Sequence, residues 1–237
     1  MHDAQKGRPQ TTIIVGAGPG IGLAVARRFA RGGGSVGLVA RSKTRLAELA
    51  EILRGDGVDA AWQTADATDP EMLRAALNRL AEQLGPIDVL CFCPLPDIDL
   101  IRPVMKTSAR HLGASAALSV GGAATAVQTL VPAMIERGRG SVLFTTGSGA
   151  INPTPERAAS VVSTAAETAY VSILHHALAQ QNVRVGQLVI VGAVGPGQKH
   201  EPDAVADALW AMHTADGGVM TVLDRPVAAD ARATHDC

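Results

Sequence analysis

Short apolar runs alternate with amphipathic helical segments along most of the chain, and this alternation constrains the fold more than any other feature. Residues 11–16 (TTIIVG) have the length and β-branched content of a strand. Ile21, Val25 and Phe29 then recur every fourth residue, which predicts one face of a helix that ends at the glycines 32–34. Because parallel strands need such crossover helices, the pattern predicts an α/β fold.

The same pattern continues to the end of the chain. Further strands are predicted at 35–40, 59–65, 87–92, 141–146, 183–191 and 218–223. Later helices are predicted at 115–137, 156–180 and 202–215. We therefore expect a Rossmann-type, doubly wound, seven-stranded parallel sheet with helices on both faces. One domain would span 1–237, with loosely held tails at 1–10 and 226–237.

Composition narrows the class of protein. The 237 residues carry a formal net charge of −1 and are only 3% aromatic, which disfavours a basic or stacking surface for nucleic acid. Three cysteines cannot build a disulfide framework, so we expect a reducing, cytoplasmic location. The first ten residues lack the apolar core of a signal peptide, and no apolar run approaches the roughly 18 residues of a membrane span. Neither nucleic acid nor a membrane is an expected partner.

A glycine-rich loop lies between the first predicted strand and the first predicted helix. Its residues are Gly16, Ala17, Gly18, Pro19, Gly20, Ile21 and Gly22. Glycines at this place permit a tight turn, a close approach of a pyrophosphate and close packing of the helix on the sheet. The positive end of the helix dipole favours the phosphates. The loop therefore predicts dinucleotide binding, the alternative being a turn needed only for packing.

The residues after the second and third strands indicate which dinucleotide. An acidic residue after the second strand is typical of NAD sites, but this chain has Arg41 and Ser42 there. Arginine pairs with a phosphate in a bidentate geometry, so NADP(H) is favoured over NAD(H). Alternatively, Arg41 is a solvated residue before a helix. Asp66, beside Ala67, is a candidate acceptor for the adenine amino group or, equally, Asp66 or Thr68 is a helix N-cap.

These motifs resemble the short-chain dehydrogenase/reductase superfamily over essentially the whole chain. Residues 15–22 match its TGxxxGxG loop with Val15 in place of threonine, and 25–42 and 128–146 read like ordinary members. The resemblance implies an NADP(H)-dependent oxidoreductase with a small-molecule substrate. It also implies a homodimer or homotetramer formed through the helices at 115–137 and 156–180.

The catalytic residues of that superfamily are largely missing. Its members use a Tyr-x-x-x-Lys pair with a serine and an asparagine, and the resemblance places the pair at Thr164 and Thr168. None of the four lysines lies between 107 and 198. The asparagine position falls on Ser119, and the serine position falls on Ser148 or, with a shift of one residue, on Gly147. The usual mechanism is therefore not expected.

Few other residues offer replacement chemistry. His111 is a candidate acid or base that titrates near neutrality, although a surface histidine is the simpler interpretation. The only tyrosine, Tyr170, lies two helical turns beyond the expected position and is predicted to pack at a helix interface. Cys91 and Cys93 are predicted to be small buried hydrophobes, and no metal site is expected.

Together these features predict an NADP(H)-binding, oxidoreductase-like protein without the usual Tyr/Lys pair. Its catalytic candidates are Ser148, Ser119 and His111. Two alternatives stay open. One is a non-redox enzyme (an isomerase, dehydratase or cyclase) on the same scaffold, and the other is a catalytically inactive binding subunit.

Overall fold

A seven-stranded parallel sheet forms the centre of the part of the molecule that the computed structural model describes, residues 9–215 and 217–225. The strands are β1 (Thr12–Val15), β2 (Val36–Ala40), β3 (Ala60–Thr64), β4 (Val89–Phe92), β5 (Gly140–Gly147), β6 (Val183–Ile190) and β7 (Met220–Leu223). The helices are α1 (Ile21–Ala30), α2 (Lys43–Gly55), α3 (Pro70–Leu84), α4 (Ala109–Ala116), α5 (Ala123–Glu136), α6 (Ala158–Leu178) and α7 (Pro202–Thr214).

The order of the strands determines where a ligand can bind. It is β3-β2-β1-β4-β5-β6-β7, and every pairing is parallel. The chain reverses direction across the sheet between β1 and β4, and in doubly wound folds this switch point opens a crevice at the carboxyl ends of the strands. The predicted fold class is confirmed.

Helices cover both faces of the sheet. On one face α3, α5 and α6 bury side chains such as Leu77 against Phe92. On the other face α1, α2 and α7 bury side chains such as Val25 against Leu38. Because both faces are buried, the strands can be almost continuously apolar, which is the pattern that the sequence shows.

The helix predicted at 115–137 begins earlier than expected. A helical stretch runs from Ala109 to Glu136, with a π-helical segment (Ala117–Gly122) between α4 and α5. By length and mean hydropathy (1.4) it is long and apolar enough to cross a membrane, which corrects the expectation that no such run exists. Its buried side chains, such as Leu130 and Met134, pack in the core with α3, as those of a helix in a folded domain do.

The predicted tails are only partly described. Residues 1–8 and 226–237 lie outside the described residues. Gln10, however, is buried, and its side-chain oxygen accepts a hydrogen bond from Nε2 of His213 at 2.8 Å. Gln10 therefore belongs to the folded part of the chain, since it contacts a residue of α7 that lies 203 positions away in sequence. The N-terminal tail predicted at 1–10 is too long.

Candidate active site

The glycine loop leaves open space beside the first helix. Gly16 has a φ of 88°, and a Cβ there would lie 2.4 Å from Cα of Pro94, so only glycine fits. A Cβ at Gly18 or Gly20 would meet no atom within 4 Å. No side chain caps the start of α1 at Gly20. Unoccupied space in front of a helix N-terminus suits a phosphate group.

A cavity of about 670 Å³ lies at this loop and along the carboxyl ends of the strands. Eight of the residues predicted for the site line it: Gly16, Gly18, Pro19, Arg41, Ser42, Asp66, Ala67 and His111. Gly20, Ile21 and Gly22 begin α1 beside the cavity but do not line it. Ser119 and Ser148 do not line it either, so the structure does not bring the three catalytic candidates together in one cavity.

Two arginine side chains lie in the cavity near the end of β2. Arg41 and Arg45 both line the cavity, and neither side chain forms a hydrogen bond or a salt bridge with any residue in 9–215 or 217–225. Ser42 caps α2, since its Oγ accepts from the backbone N–H of Arg45 at 3.3 Å. Arg45 was not predicted, although its place in the first turn of the helix that follows Arg41 was an indication in the sequence.

Asp66 orders the turn after β3. Its Oδ1 accepts from the backbone N–H of Thr68 at 2.9 Å and from the Thr68 hydroxyl at 2.8 Å. The backbone hydrogen bond from Thr68 lowers the pKa of Asp66, and the charge of Arg41 also favours the carboxylate. The N-cap of α3 is Asp69, which corrects the alternative that Asp66 or Thr68 caps this helix. Contact of Asp66 with adenine stays a prediction.

Thr164 and Thr168, at the positions where the resemblance places the Tyr/Lys pair, direct their hydroxyl groups into their own helix. The Thr164 hydroxyl lies 2.9 Å from the Ser160 carbonyl oxygen and 3.0 Å from that of Val161. Thr168 Oγ1 donates to the carbonyl oxygen of Thr164 at 2.9 Å. A Cβ at Gly149 would lie 2.8 Å from Thr164 Oγ1, so α6 does meet the turn at the end of β5. Neither hydroxyl is free to donate a proton to a ligand.

The serine candidates lie on irregular backbone. Ser119 is half-buried within the π-helical segment, and segments of this kind occur frequently at functional sites. Ser148 begins a 3₁₀ turn (Ser148–Ala150) directly after β5, where the resemblance places the catalytic serine. The catalytic role of both residues stays a prediction.

His111 takes part in capping α4. Its Nδ1 accepts from the backbone N–H of Ser108 at 3.1 Å, and Ser108 Oγ accepts from the backbone N–H of His111 at 3.4 Å. This reciprocal capping box orders the start of the helix. Because Nδ1 is an acceptor here, the neutral ring carries its hydrogen on Nε2. The catalytic role of His111 also stays a prediction.

Glu167 is a buried carboxyl group that the sequence patterns did not single out. It lies on α6 between Thr164 and Thr168 and is 4% exposed. Burial raises its pKa from 4.5 to about 8, and the nearby side chain of Gln187, which favours the carboxylate, opposes part of this rise. The sequence does contain one indication of this group, because Glu167 is the only Asp, Glu, Lys or Arg residue in α6.

The remaining candidates, two cysteines and the tyrosine, lie in the packed core or against it. Cys91 and Cys93 are buried, and burial raises the pKa of Cys93 to about 12, which confirms their prediction as small hydrophobes. Tyr170 is partly buried against the core, and burial raises its pKa. In the ranges 9–215 and 217–225, no group of three or more His, Cys, Asp or Glu side chains forms a possible metal site.

Comparisons of the sequence with known proteins identify one family. The family model described as short chain dehydrogenase matches residues 10–201. A short chain dehydrogenase of Pseudocercospora fijiensis is 29% identical over 212 residues, which cover 84% of this chain and 63% of that protein. The 2,3-dihydro-2,3-dihydroxybenzoate dehydrogenase of Bacillus subtilis is 27% identical over 213 residues, with 89% and 76% covered. The chain thus spans less than two thirds of the Pseudocercospora relative.

Comparisons of the structure agree. A metagenomic short-chain oxidoreductase solved in complex with NADP has a TM-score of 0.80 at 23% identity, with 93% of this chain and 97% of that chain covered, and it supports the fold alone. The L-sorbose reductase of Gluconobacter frateurii, solved with NADPH and L-sorbose, has a TM-score of 0.73 at 26% identity, with 79% and 71% covered.

Proposed function

Because the chain belongs to the short chain dehydrogenase family, we propose that it binds NADP(H) in the cavity at the glycine loop and is an oxidoreductase-like protein that lacks the usual Tyr/Lys pair. NADP(H) would supply or accept a hydride there. The observation that carries the proposal is that the side chains of Arg41 and Arg45 line the same cavity as the open glycine loop and form no hydrogen bond or salt bridge with the described residues.

The residues present fit the phosphates of this cofactor. The space beside Gly18 and Gly20 would admit the pyrophosphate at the start of α1, where free N–H groups and the helix dipole favour negative charge. Arg41 and Arg45 would receive the 2′-phosphate of the adenosine, because guanidinium groups bind phosphate in a bidentate geometry. A carboxylate for the ribose 2′-OH, typical of NAD sites, is absent from the end of β2.

Replacing Arg41 with alanine is expected to weaken NADPH binding by about 10- to 100-fold, the value of one or two charge-assisted hydrogen bonds. NADH, which has no 2′-phosphate, should bind about as well as before. Isothermal titration calorimetry with both cofactors measures the difference. Arg79→Ala is the matched control, since Arg79 is an exposed arginine on α3 outside the cavity. An equal loss for NADPH and NADH would refute the 2′-phosphate role.

The chemistry at the carbonyl group of a substrate must differ from that of family members that have the Tyr/Lys pair. Threonine hydroxyls are much weaker acids than a tyrosine, and those of Thr164 and Thr168 are directed to their own helix. Ser148, Ser119 and His111 are the groups we propose for positioning substrate or moving a proton. The held threonine hydroxyls also suit the two alternative functions, a non-redox enzyme on the same scaffold and a catalytically inactive binding subunit, because neither needs the proton donor of the usual redox reaction.

Turnover separates these candidates. The assay offers NADPH and a panel of carbonyl compounds and follows the consumption of reduced nicotinamide by its absorbance. We expect the rate to change by less than about twofold in Thr164→Val, because a hydroxyl held by its own helix contributes little to proton transfer. Substrate conversion without a change in cofactor redox state would instead indicate a non-redox enzyme. A lack of turnover with every compound would indicate a binding subunit.

We also propose a homodimer or homotetramer formed through α4–α5 and α6. The exposed side of α6 carries apolar side chains, among them Val162 (52% exposed) and Ile173 (68% exposed). Burying such side chains against a second copy is favourable. A small-molecule substrate, a cytoplasmic location and the lack of nucleic-acid or membrane partners stay predictions from the composition and the family.

A further inference from the structure

Two serines outside the predicted site connect the cavity with α6. Ser115 on α4 lines the cavity, and its Oγ lies 2.7 Å from Oγ of Ser163 on α6. Both side chains are almost fully buried, with exposures of 6% and 2%. Buried hydroxyl groups normally have their donors and acceptors satisfied, so the direction of this hydrogen bond matters.

The neighbouring contacts determine that direction. Ser163 Oγ also lies 3.1 Å from the carbonyl oxygen of Ser160, which can only accept. A hydroxyl group has one hydrogen, so Ser163 donates to Ser160 and accepts from Ser115. The hydrogen of Ser115 is then committed to Ser163, whereas neither lone pair of Ser115 Oγ accepts a hydrogen bond from the described residues. Ser115 is therefore suited to accept a hydrogen bond from a ligand in the cavity.

We propose that Ser115 accepts a hydrogen bond from a ribose hydroxyl in the nicotinamide half of NADP(H), an inference that rests on the proposed function. In the proposed binding mode the 2′-phosphate would lie at Arg41, which follows β2, and the pyrophosphate at the glycine loop, which follows β1. Ser115 lies where the cavity meets α6. Since Thr164 and Thr168 direct their hydroxyls into that helix, a ribose hydroxyl near α6 would find its acceptor at Ser115 of the neighbouring α4.

Two alanine variants separate this role from a structural one. Ser115→Ala and Ser163→Ala each remove the same buried hydrogen bond, and Ser163→Ala also removes the bond to the Ser160 carbonyl, so Ser163→Ala should lower the melting temperature at least as much as Ser115→Ala. Only Ser115→Ala removes the acceptor for the ligand. Ser163→Ala leaves the Ser115 hydroxyl in the cavity wall.

The test is calorimetric binding of NADPH and of 2′,5′-ADP, which has the adenosine 2′-phosphate but no nicotinamide half, to the full chain. Ser115→Ala should weaken NADPH about 3- to 10-fold, as expected for one neutral hydrogen bond, and change 2′,5′-ADP by less than about twofold. Ser163→Ala should change both by less than about twofold. Ser115→Thr, which keeps the hydroxyl, should retain NADPH affinity and so separates loss of the acceptor from misfolding.

Each other outcome overturns the inference. Equal weakening of NADPH by Ser115→Ala and Ser163→Ala would show a purely structural pair. Equal weakening of NADPH and 2′,5′-ADP by Ser115→Ala would place the contact on the adenosine half. No weakening of either ligand by Ser115→Ala would show that no contact exists. If the wild-type chain binds neither ligand, the proposed function itself fails, which is a different result from the failure of Ser115 alone.

Discussion

Replacing Glu167 with glutamine is expected to stabilise the fold by about 3 kcal/mol near pH 7, because it removes a carboxyl group that must stay protonated inside the protein. The folded state raises the pKa of this group from 4.5 to about 8, chiefly through burial. Below the lower value both folded and unfolded chains are protonated. Between the two values only the folded chain holds the proton, so stability falls as the pH rises through this window.

Chemical unfolding at a series of pH values measures this effect. The Glu167→Gln variant should lose most of the fall in unfolding free energy between about pH 5 and 8. Glutamine keeps the size of the side chain. In the wild-type chain, Oε1 of Glu167 and Nε2 of Gln187 are buried without a hydrogen-bond partner among the described residues, and an amide at position 167 is neutral at every pH. Glu82→Gln, at an exposed position on α3, is the control. A less stable variant with an unchanged pH profile would contradict the prediction.

The second large effect concerns His213 and has the opposite sign. This buried ring donates from Nε2 to the side-chain oxygen of Gln10 (2.8 Å). Because its lowered pKa keeps the ring neutral near pH 7, Nδ1 accepts from the Ser141 hydroxyl (2.9 Å). Burial, followed by the charge of Arg184, lowers its pKa from 6.5 to about 4, although Asp88 opposes the shift. As the pH falls below 6.5, the unfolded chain binds a proton that the folded chain does not. Stability should therefore fall by about 3 kcal/mol between pH 6.5 and 4.

The same pH series tests this prediction. His213→Gln is expected to cost stability near neutrality, since the hydrogen bonds to Ser141 and Gln10 are disturbed, but to flatten the acid side of the profile. His176→Gln, at an exposed position on α6, should leave that side unchanged. An acid profile in His213→Gln as steep as that of the wild type would assign the acid sensitivity to other groups.

Local sequence patterns predicted the fold because they reflect local physical preferences. The apolar strands and the four-residue spacing of Ile21, Val25 and Phe29 depend only on residues close in sequence. The start of α4 was placed too late because its capping box has His111 where Glu or Gln is usual. The N-cap of α3 was placed too early because Asp66, Thr68 and Asp69 all have side chains suited to capping.

The chain by itself determined the sheet, the glycine loop and the absence of a Tyr/Lys pair, since each of these depends on residue type at a fixed local spacing. Only the tertiary structure decided which polar groups meet. Ser115 and Ser163 are 48 residues apart, and Gln10 and His213 are 203 apart, so no local pattern indicates either contact. The raised pKa of Glu167 likewise arises because the packing of α6 in the folded chain buries its one carboxyl group. Burial and partner identity depend on how distant segments pack, and these decide the chemistry that the cavity can support.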